Sequence, residues 1–124
     1  MPKIITPPED TFNKTGDYVA FTCEVMGWPV PVIEWHFRSA NREMDGMAPL
    51  PSDDPHIAVQ SRGGPGNYEV TGWLQLLDIT EVDQGAYSCI ARNSEGEVKA
   101  TAKLIVTDAK TKPKYEYDNE NEVE

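Results

Sequence analysis

The stretch Asp83-Gln84-Gly85-Ala86-Tyr87-Ser88-Cys89 decides the fold of this chain. A second cysteine, Cys23, stands about 65 residues earlier, and Trp35 follows it by about a dozen residues. Two antiparallel sheets joined by a disulfide over a buried indole need this spacing. Tyr87 stands two residues before Cys89, at the position where a tyrosine hydroxyl turns back onto the main chain. These residues predict a β-sandwich with a Cys23–Cys89 bridge packed on Trp35.

Apolar and polar residues alternate in five stretches around these landmarks, as in strands with one buried face. We predict strands at residues 18–25, 32–38, 69–77, 86–93 and 98–106. The inward positions are then Val19, Phe21, Cys23, Val25, Ile33, Trp35, Phe37, Val70, Leu74, Leu76, Tyr87, Cys89, Ala91, Ala102, Leu104 and Val106. Both cysteines and the tryptophan share the core faces, and a shift of one residue would expose all three.

Two further stretches set the type of sandwich. Residues 39–56 hold three prolines and too little alternation for a second strand pair, so we expect a long connection with at most one short strand. Residues 4–6 are expected to form the first strand, which Pro7 ends. The pattern favours an all-β, immunoglobulin-like Greek-key sandwich of the intermediate (I-set) type over a nine-stranded variable domain.

The sandwich pattern covers residues 1–107 and then stops. Residues 108–124 are acidic and almost without aliphatic side chains. They cannot bury enough apolar surface to offset the entropy of ordering, so we predict a disordered tail.

Charge and hydropathy exclude several classes of partner. The formal net charge of −10 argues against a nucleic acid or an anionic membrane, because such surfaces attract clustered Lys and Arg. No apolar run approaches about 18 residues, so no membrane span is expected. Residues 1–7 lack the apolar core of a signal peptide, so we expect the chain to be an excised piece if the protein is secreted.

Several segments are less general than the sandwich pattern. They are Phe12-Asn13-Lys14-Thr15-Gly16, Cys23-Glu24-Val25-Met26-Gly27-Trp28-Pro29-Val30-Pro31, Asp53-Asp54-Pro55-His56-Ile57, Arg62-Gly63-Gly64-Pro65 and Glu69-Val70-Thr71-Gly72-Trp73-Leu74-Gln75. With them, residues 4–107 resemble the C-terminal immunoglobulin domain of the insulin-like growth factor binding protein-related proteins, in particular their Kazal-type serine protease inhibitor domain-containing members. In that family a Cys-rich growth-factor-binding module and a Kazal-type module precede this domain.

The resemblance implies a secreted matrix or signalling protein whose immunoglobulin module binds a protein partner and catalyses nothing. Two cysteines cannot supply the growth-factor-binding or Kazal frameworks, so the contacts of those modules cannot be assigned to any residue here. The ligand of the immunoglobulin module stays unnamed, and no cofactor is implied. The alternative is an intracellular structural module of a sarcomeric or cytoskeletal protein, with Cys23 and Cys89 reduced.

Two kinds of modification site stand out. Asn13-Lys14-Thr15 is the only N-glycosylation sequon in the sequence, and relatives carry one at the same place. The other interpretation is a chance triplet on a polar turn. Tyr115 and Tyr117 lie among acidic residues, which is the context of tyrosine sulfation in a secretory protein.

An exposed tryptophan is the best candidate anchor for a protein partner. Trp73 has outward parity on its strand, near Thr22 and Thr71, and Trp28 lies in a Gly-Pro loop. Either indole could instead pack locally, Trp28 as a plug over the core end. We expect partners, or a weak homodimer, to use a sheet face rather than a pocket, and we favour the Trp73 face.

The opposite outward face mixes charge with two aliphatics that are predicted to be exposed. Its residues are Glu34, His36, Arg38, Ser88, Ile90, Arg92, Lys103 and Ile105. Catalysis has no support, because His36 and His56 fall on different elements without a nucleophile beside them. Asp53 and Asp54 lack the spacing of a calcium loop, so no metal site is predicted.

Overall fold

A computed structural model of the chain describes residues 1–40, 48–51, 55–64 and 66–107. That part is built from strands, with one 3₁₀ turn at Glu81–Asp83. The strands are β1 Lys3–Thr6, β2 Thr11–Lys14, β3 Val19–Met26, β4 Val32–Ser39, β5 Ala48–Leu50, β6 Ile57–Gly63, β7 Glu69–Leu76, β8 Gly85–Asn93 and β9 Gly96–Thr107. The predicted disordered tail and the residues Asp53, Asp54, Tyr115 and Tyr117 lie outside the described part.

The strands form two sheets, ordered β1-β3-β7-β6 and β2-β9-β8-β4-β5. Neighbouring strands are antiparallel except β2 and β9, which pair in parallel. The predicted immunoglobulin-like sandwich is confirmed. Strand β5 is a short strand within the described part of the long connection, as expected.

Strand β2 is an element that the sequence did not reveal. It begins at Thr11, after the prolines have ended β1, and pairs with β9 from Thr11↔Leu104 to Lys14↔Thr107. The chain thus crosses from one sheet to the other within its first strand region. Phe12 is the only large apolar side chain in β2, so no alternation marked it.

The predicted inward parity is correct in every strand. Cys23, Trp35, Leu74, Cys89 and Leu104 are fully buried, as a core between two sheets requires. Ile33 and Phe37 are only partly buried, yet both pack against this core. A side chain at Gly72 would meet Ile33, because an added Cβ would lie 2.9 Å from the Ile33 Cδ1 atom.

The bridge between the sheets is the disulfide Cys23–Cys89, with Cα atoms 6.4 Å apart. Trp35 lies opposite Cys89 in the β4–β8 register, and Phe21 stands 6.5 Å from the indole between ring centroids. The predicted arrangement of bridge and indole is confirmed.

A corner formed by Asp83 and Tyr87 closes the core at the start of β8. The Tyr87 hydroxyl donates to the Asp83 main-chain oxygen. Burial, and then the charge of Asp83, raises the pKa of Tyr87 well above its ordinary value, so the hydroxyl stays protonated and can donate. The buried Asp83 carboxylate accepts from the Thr80 N–H at 2.9 Å and contacts His56 Nε2 at 2.8 Å. These partners satisfy a charge that would be costly to bury alone.

Candidate protein-binding surfaces

Trp73 points outward from β7, as predicted, but its side chain is half-buried. It lies opposite Thr22 on β3 and Gln60 on β6. Hollows of about 360 and 380 Å³ flank the indole, and Arg62 lines both. Thr71 lines the first hollow. The Trp73 indole does not project from the surface, so a partner would contact it through the shallow hollows on either side.

Trp28 is the more accessible indole, with 66% of its surface exposed. Its ring meets Tyr68 edge-on, with centroids 5.1 Å apart and planes at 67°. Tyr68 is itself 51% exposed. Trp28 is therefore a surface residue and not a plug over the core.

The main chain holds this aromatic pair in place. The Gly27 N–H donates to the Tyr68 carbonyl at 2.9 Å, and the Asn93 side chain donates to the Pro29 carbonyl at 2.7 Å. Tyr68 adopts a left-handed conformation with φ of 69°, which is uncommon for a residue other than glycine. Three loops, those before β4, before β7 and after β8, thus form one braced end of the sandwich.

Sequence reasoning missed Tyr68, since the two rings are 40 positions apart and belong to different loops. One signal was present in the sequence. Tyr68 lies outside the alternation of β7, two positions after the glycines of the preceding turn, and a large aromatic side chain at such a place has no assigned core position.

The outward face of the β2-β9-β8-β4-β5 sheet differs from its prediction. Ile90 was expected to be exposed and is 5% exposed, and Ser88 is fully buried. Longer side chains lie beside Ile90 in register, Glu34 on β4 and Lys99 on β9, and the Ser88 hydroxyl lies 2.7 Å from that of Thr101. Ile105 is half-buried, so the prediction of two exposed aliphatics is wrong.

The same face carries an ion-pair network centred on Arg92. Arg92 donates to Glu97 and to Glu34, each at 2.9 Å, and the His36 Nε2 atom lies 3.4 Å from Glu34. The bond to Glu97, followed by the charge of Glu34, raises the pKa of the Arg92 guanidinium. The pairs are solvent-exposed, so they fix side-chain positions more than they stabilise the fold.

Asn13 lies on the edge strand β2 rather than on a turn. Its side chain is half-buried, accepts from the Thr11 hydroxyl at 2.8 Å, and contacts Asp17 through its amide nitrogen at 3.5 Å. The amide nitrogen is the atom that would carry a glycan, and only the longer of these contacts engages it. Glycosylation of Asn13 stays a prediction.

Catalytic and metal chemistry has no assembled site in the described ranges. His36 is on β4 and bonds toward Glu34, whereas His56 precedes β6 and contacts Asp83. No three His, Cys, Asp or Glu side chains of the described residues converge to hold a metal ion. No helix in this part of the chain has the length and apolar character that crossing a membrane requires.

The sequence is similar to those of several known proteins. The chain is 52% identical over 107 residues to insulin-like growth factor-binding protein-related protein 1 of Cupiennius salei, with 86% of this chain and 40% of the relative covered. It is 48% identical over 106 residues to Kazal-type serine protease inhibitor domain-containing protein 1 of Homo sapiens, with 85% and 33% covered. The chain therefore spans less than half the length of these curated relatives.

The fold has wider parallels. The structure of the N-terminal eight Ig domains of Down Syndrome Cell Adhesion Molecule matches with a TM-score of 0.72 at 24% identity, over 86% of this chain and 12% of that one. Identity at this level shows the fold alone. The immunoglobulin I-set domain model matches residues 2–106. With its two-sheet order, its bridge and this match, the chain belongs to the immunoglobulin I-set domain family.

Proposed function

We propose that this chain is a non-catalytic protein-binding module of a secreted, growth-factor-binding-protein-related protein of the extracellular matrix or of signalling. The similarity to two proteins named for growth-factor binding and for a Kazal-type inhibitor domain supports this assignment. Those named activities belong to the relatives, whose remaining length this chain does not span. A disulfide inside the core also fits an oxidising compartment better than the intracellular alternative.

The observation that carries the proposal is the exposed Trp28–Tyr68 pair. Two aromatic rings with more than half their surface accessible offer a large apolar area that docking would remove from water. The hydrogen bonds from Gly27 and Asn93 hold the loops beforehand, so little further ordering is required on binding. Tryptophan and tyrosine are also the residue types most enriched among binding hot spots.

Trp73, with Thr22 and Thr71, is the second candidate anchor. Trp73 is half-buried beside Thr22, so it has less free surface to contribute than Trp28. The sequence favoured the Trp73 face, and that preference stays a prediction. Separate substitution of Trp28 and Trp73 shows whether a partner binds at the end of the sandwich or on its sheet face.

Trp28→Ala is expected to weaken partner binding by about 2 kcal/mol, or roughly 30-fold, if Trp28 is the hot spot. The measurement is affinity capture from extracellular fluid with the wild-type chain, followed by titration of the captured partner against each variant. Val82→Ala is the matched control, because Val82 is 68% exposed on the 3₁₀ turn, away from both tryptophans in sequence. Trp73→Ala is titrated in the same way, to measure the contribution of the sheet face.

Each outcome of that titration decides between surfaces. A loss confined to Trp28→Ala supports the aromatic pair, and a loss confined to Trp73→Ala transfers the site to the sheet face. Undiminished binding by both variants, with folding intact, contradicts both anchors. A partner that also loses affinity for Val82→Ala would indicate non-specific apolar adsorption.

Asn13 is expected to carry an N-linked glycan when the chain is made in a secreting eukaryotic cell. The sequon Asn13-Lys14-Thr15 is complete, and the amide nitrogen that would carry the glycan makes only a 3.5 Å contact with Asp17. Intact mass measured before and after enzymatic deglycosylation tests this. Asn13→Gln and Thr15→Ala should each abolish the mass difference, whereas Thr11→Ala should retain it because Thr11 is outside the sequon. An unmodified wild-type mass would remove the assignment.

A further inference from the structure

The positive charges of the described residues are concentrated on one surface. The outward side of the β2-β9-β8-β4-β5 sheet, called here the basic face, holds five of the seven Lys and Arg residues in the described ranges. They are Lys14, Arg38, Arg92, Lys99 and Lys103. Of the eleven described Asp and Glu residues, four adjoin this face: Asp10, Asp17, Glu34 and Glu97. The face is therefore cationic in a chain whose net charge is −10.

The carboxylates near the basic face that belong to described residues are already engaged. Glu34 and Glu97 both bond to Arg92, and Asp10 accepts from the Lys103 main-chain N–H at 2.8 Å. Among the described residues, the side chains of Arg38, Lys99 and Lys103 form no ion pair. Three unpaired cations thus remain available for an anionic ligand.

Two of these cations flank a groove of about 360 Å³. Arg38 on β4 and Lys103 on β9 both lie opposite Ala86 on the strand between them, so a small residue separates two long ones. Gly85, Leu104 and Ile105 also line the groove. Cationic side walls over a small-residue floor fit an extended polypeptide with acidic side chains.

The C-terminal segment of this chain has the matching chemistry. Between residues 115 and 124 every second residue is acidic, namely Glu116, Asp118, Glu120, Glu122 and Glu124, and no residue is basic. In an extended conformation alternate residues share one side, about 7 Å apart. Glu116 and Glu120 would then be separated by about 13 Å, as are Lys99 and Lys103 on β9.

The segment can also reach the groove. Strand β9 ends at Thr107, four positions after Lys103, which corresponds to about 13 Å along the strand. The seven residues 108–114 span up to about 24 Å when extended. Tethering of this kind gives an effective concentration in the millimolar range, so a weak ionic contact suffices to occupy the face.

We infer that the acidic segment 115–124 docks along the basic face of its own chain, with its alternate carboxylates on Arg38, Lys103 and Lys99. This contact uses a different surface from the aromatic pair and does not rest on the proposed function.

The test compares backbone amide NMR shifts of the full chain with those of a tail-neutralised variant, Glu116→Gln, Asp118→Asn, Glu120→Gln and Glu122→Gln. We expect changes at Ala86, Lys99, Lys103 and Ile105 that disappear when salt is raised to about 0.5 M, since the contact is ionic. The control neutralises Glu81 and Glu95, exposed carboxylates away from the basic face, and should leave those amides unchanged.

Charge exchange makes the test specific. Arg38→Glu with Lys103→Glu should abolish the salt-sensitive shifts, and adding Glu116→Lys with Glu120→Lys should restore them. Wild-type shifts that are independent of salt would overturn the inference without any variant. Shifts that grow with protein concentration would show docking between two copies, which also overturns docking within one chain.

Discussion

Trp35→Ala is expected to lower the free energy of unfolding by about 3–5 kcal/mol, which is a large share of the total for a domain of this size. Trp35 is fully buried, with Phe21 beside it and the bridge at Cys89 opposite it in register. Both sheets are held by the bridge, so they cannot close over the space that the indole leaves. The midpoint of urea unfolding should fall while the dependence on urea concentration stays the same.

Two matched variants show whether the cavity is the cause. The Trp35 Nε1 atom is buried and has no hydrogen-bond partner among the described residues, so Trp35→Phe removes volume but no such bond and should cost less than half as much. Trp73→Ala removes the same side chain from a half-buried outward position and should cost less than about 1 kcal/mol. Equal losses from Trp35→Ala and Trp73→Ala would contradict the assignment of Trp35 as the centre of the core.

The core was predictable because two independent signals agree. Alternation places Val19, Phe21 and Cys23 on one face of β3, and the bridge requires that same face to be inward. A shift of one residue would break both conditions at once. Strand β2 offers neither signal, since its pairing is supplied by β9 after the chain has crossed between sheets.

The surface was less predictable, for a different physical reason. Alternation reports which face a residue occupies, but not how far its neighbours extend over it. Ile90 lies on the outward face as predicted, yet it is buried between the longer Glu34 and Lys99, which flank it in register. The Trp28–Tyr68 pair depends on where two loops meet, and nothing local to either loop encodes that contact.

Removal of the bridge by Cys23→Ala with Cys89→Ala should cost roughly 4 kcal/mol at 25 °C. In the chain-entropy model, a link between residues 66 positions apart lowers the conformational entropy of the unfolded chain, and this stabilises the fold by about that amount. Both sulfur atoms are buried, so the lost packing adds to the entropic loss. Urea unfolding of the wild-type and doubly substituted chains, both without reductant, gives the difference.

Reductant supplies the control, because it should lower the unfolding midpoint of the wild-type chain and leave that of the doubly substituted chain unchanged. The same pair of measurements separates the two functional interpretations. An extracellular module relies on the oxidised pair, whereas an intracellular spacer has to remain folded with both thiols reduced. A reduced wild-type chain within about 1 kcal/mol of the oxidised one would favour the spacer. A loss of several kcal/mol would tie the working stability of this domain to an oxidising compartment, since Trp35 and its neighbours would then depend on the bridge to stay packed.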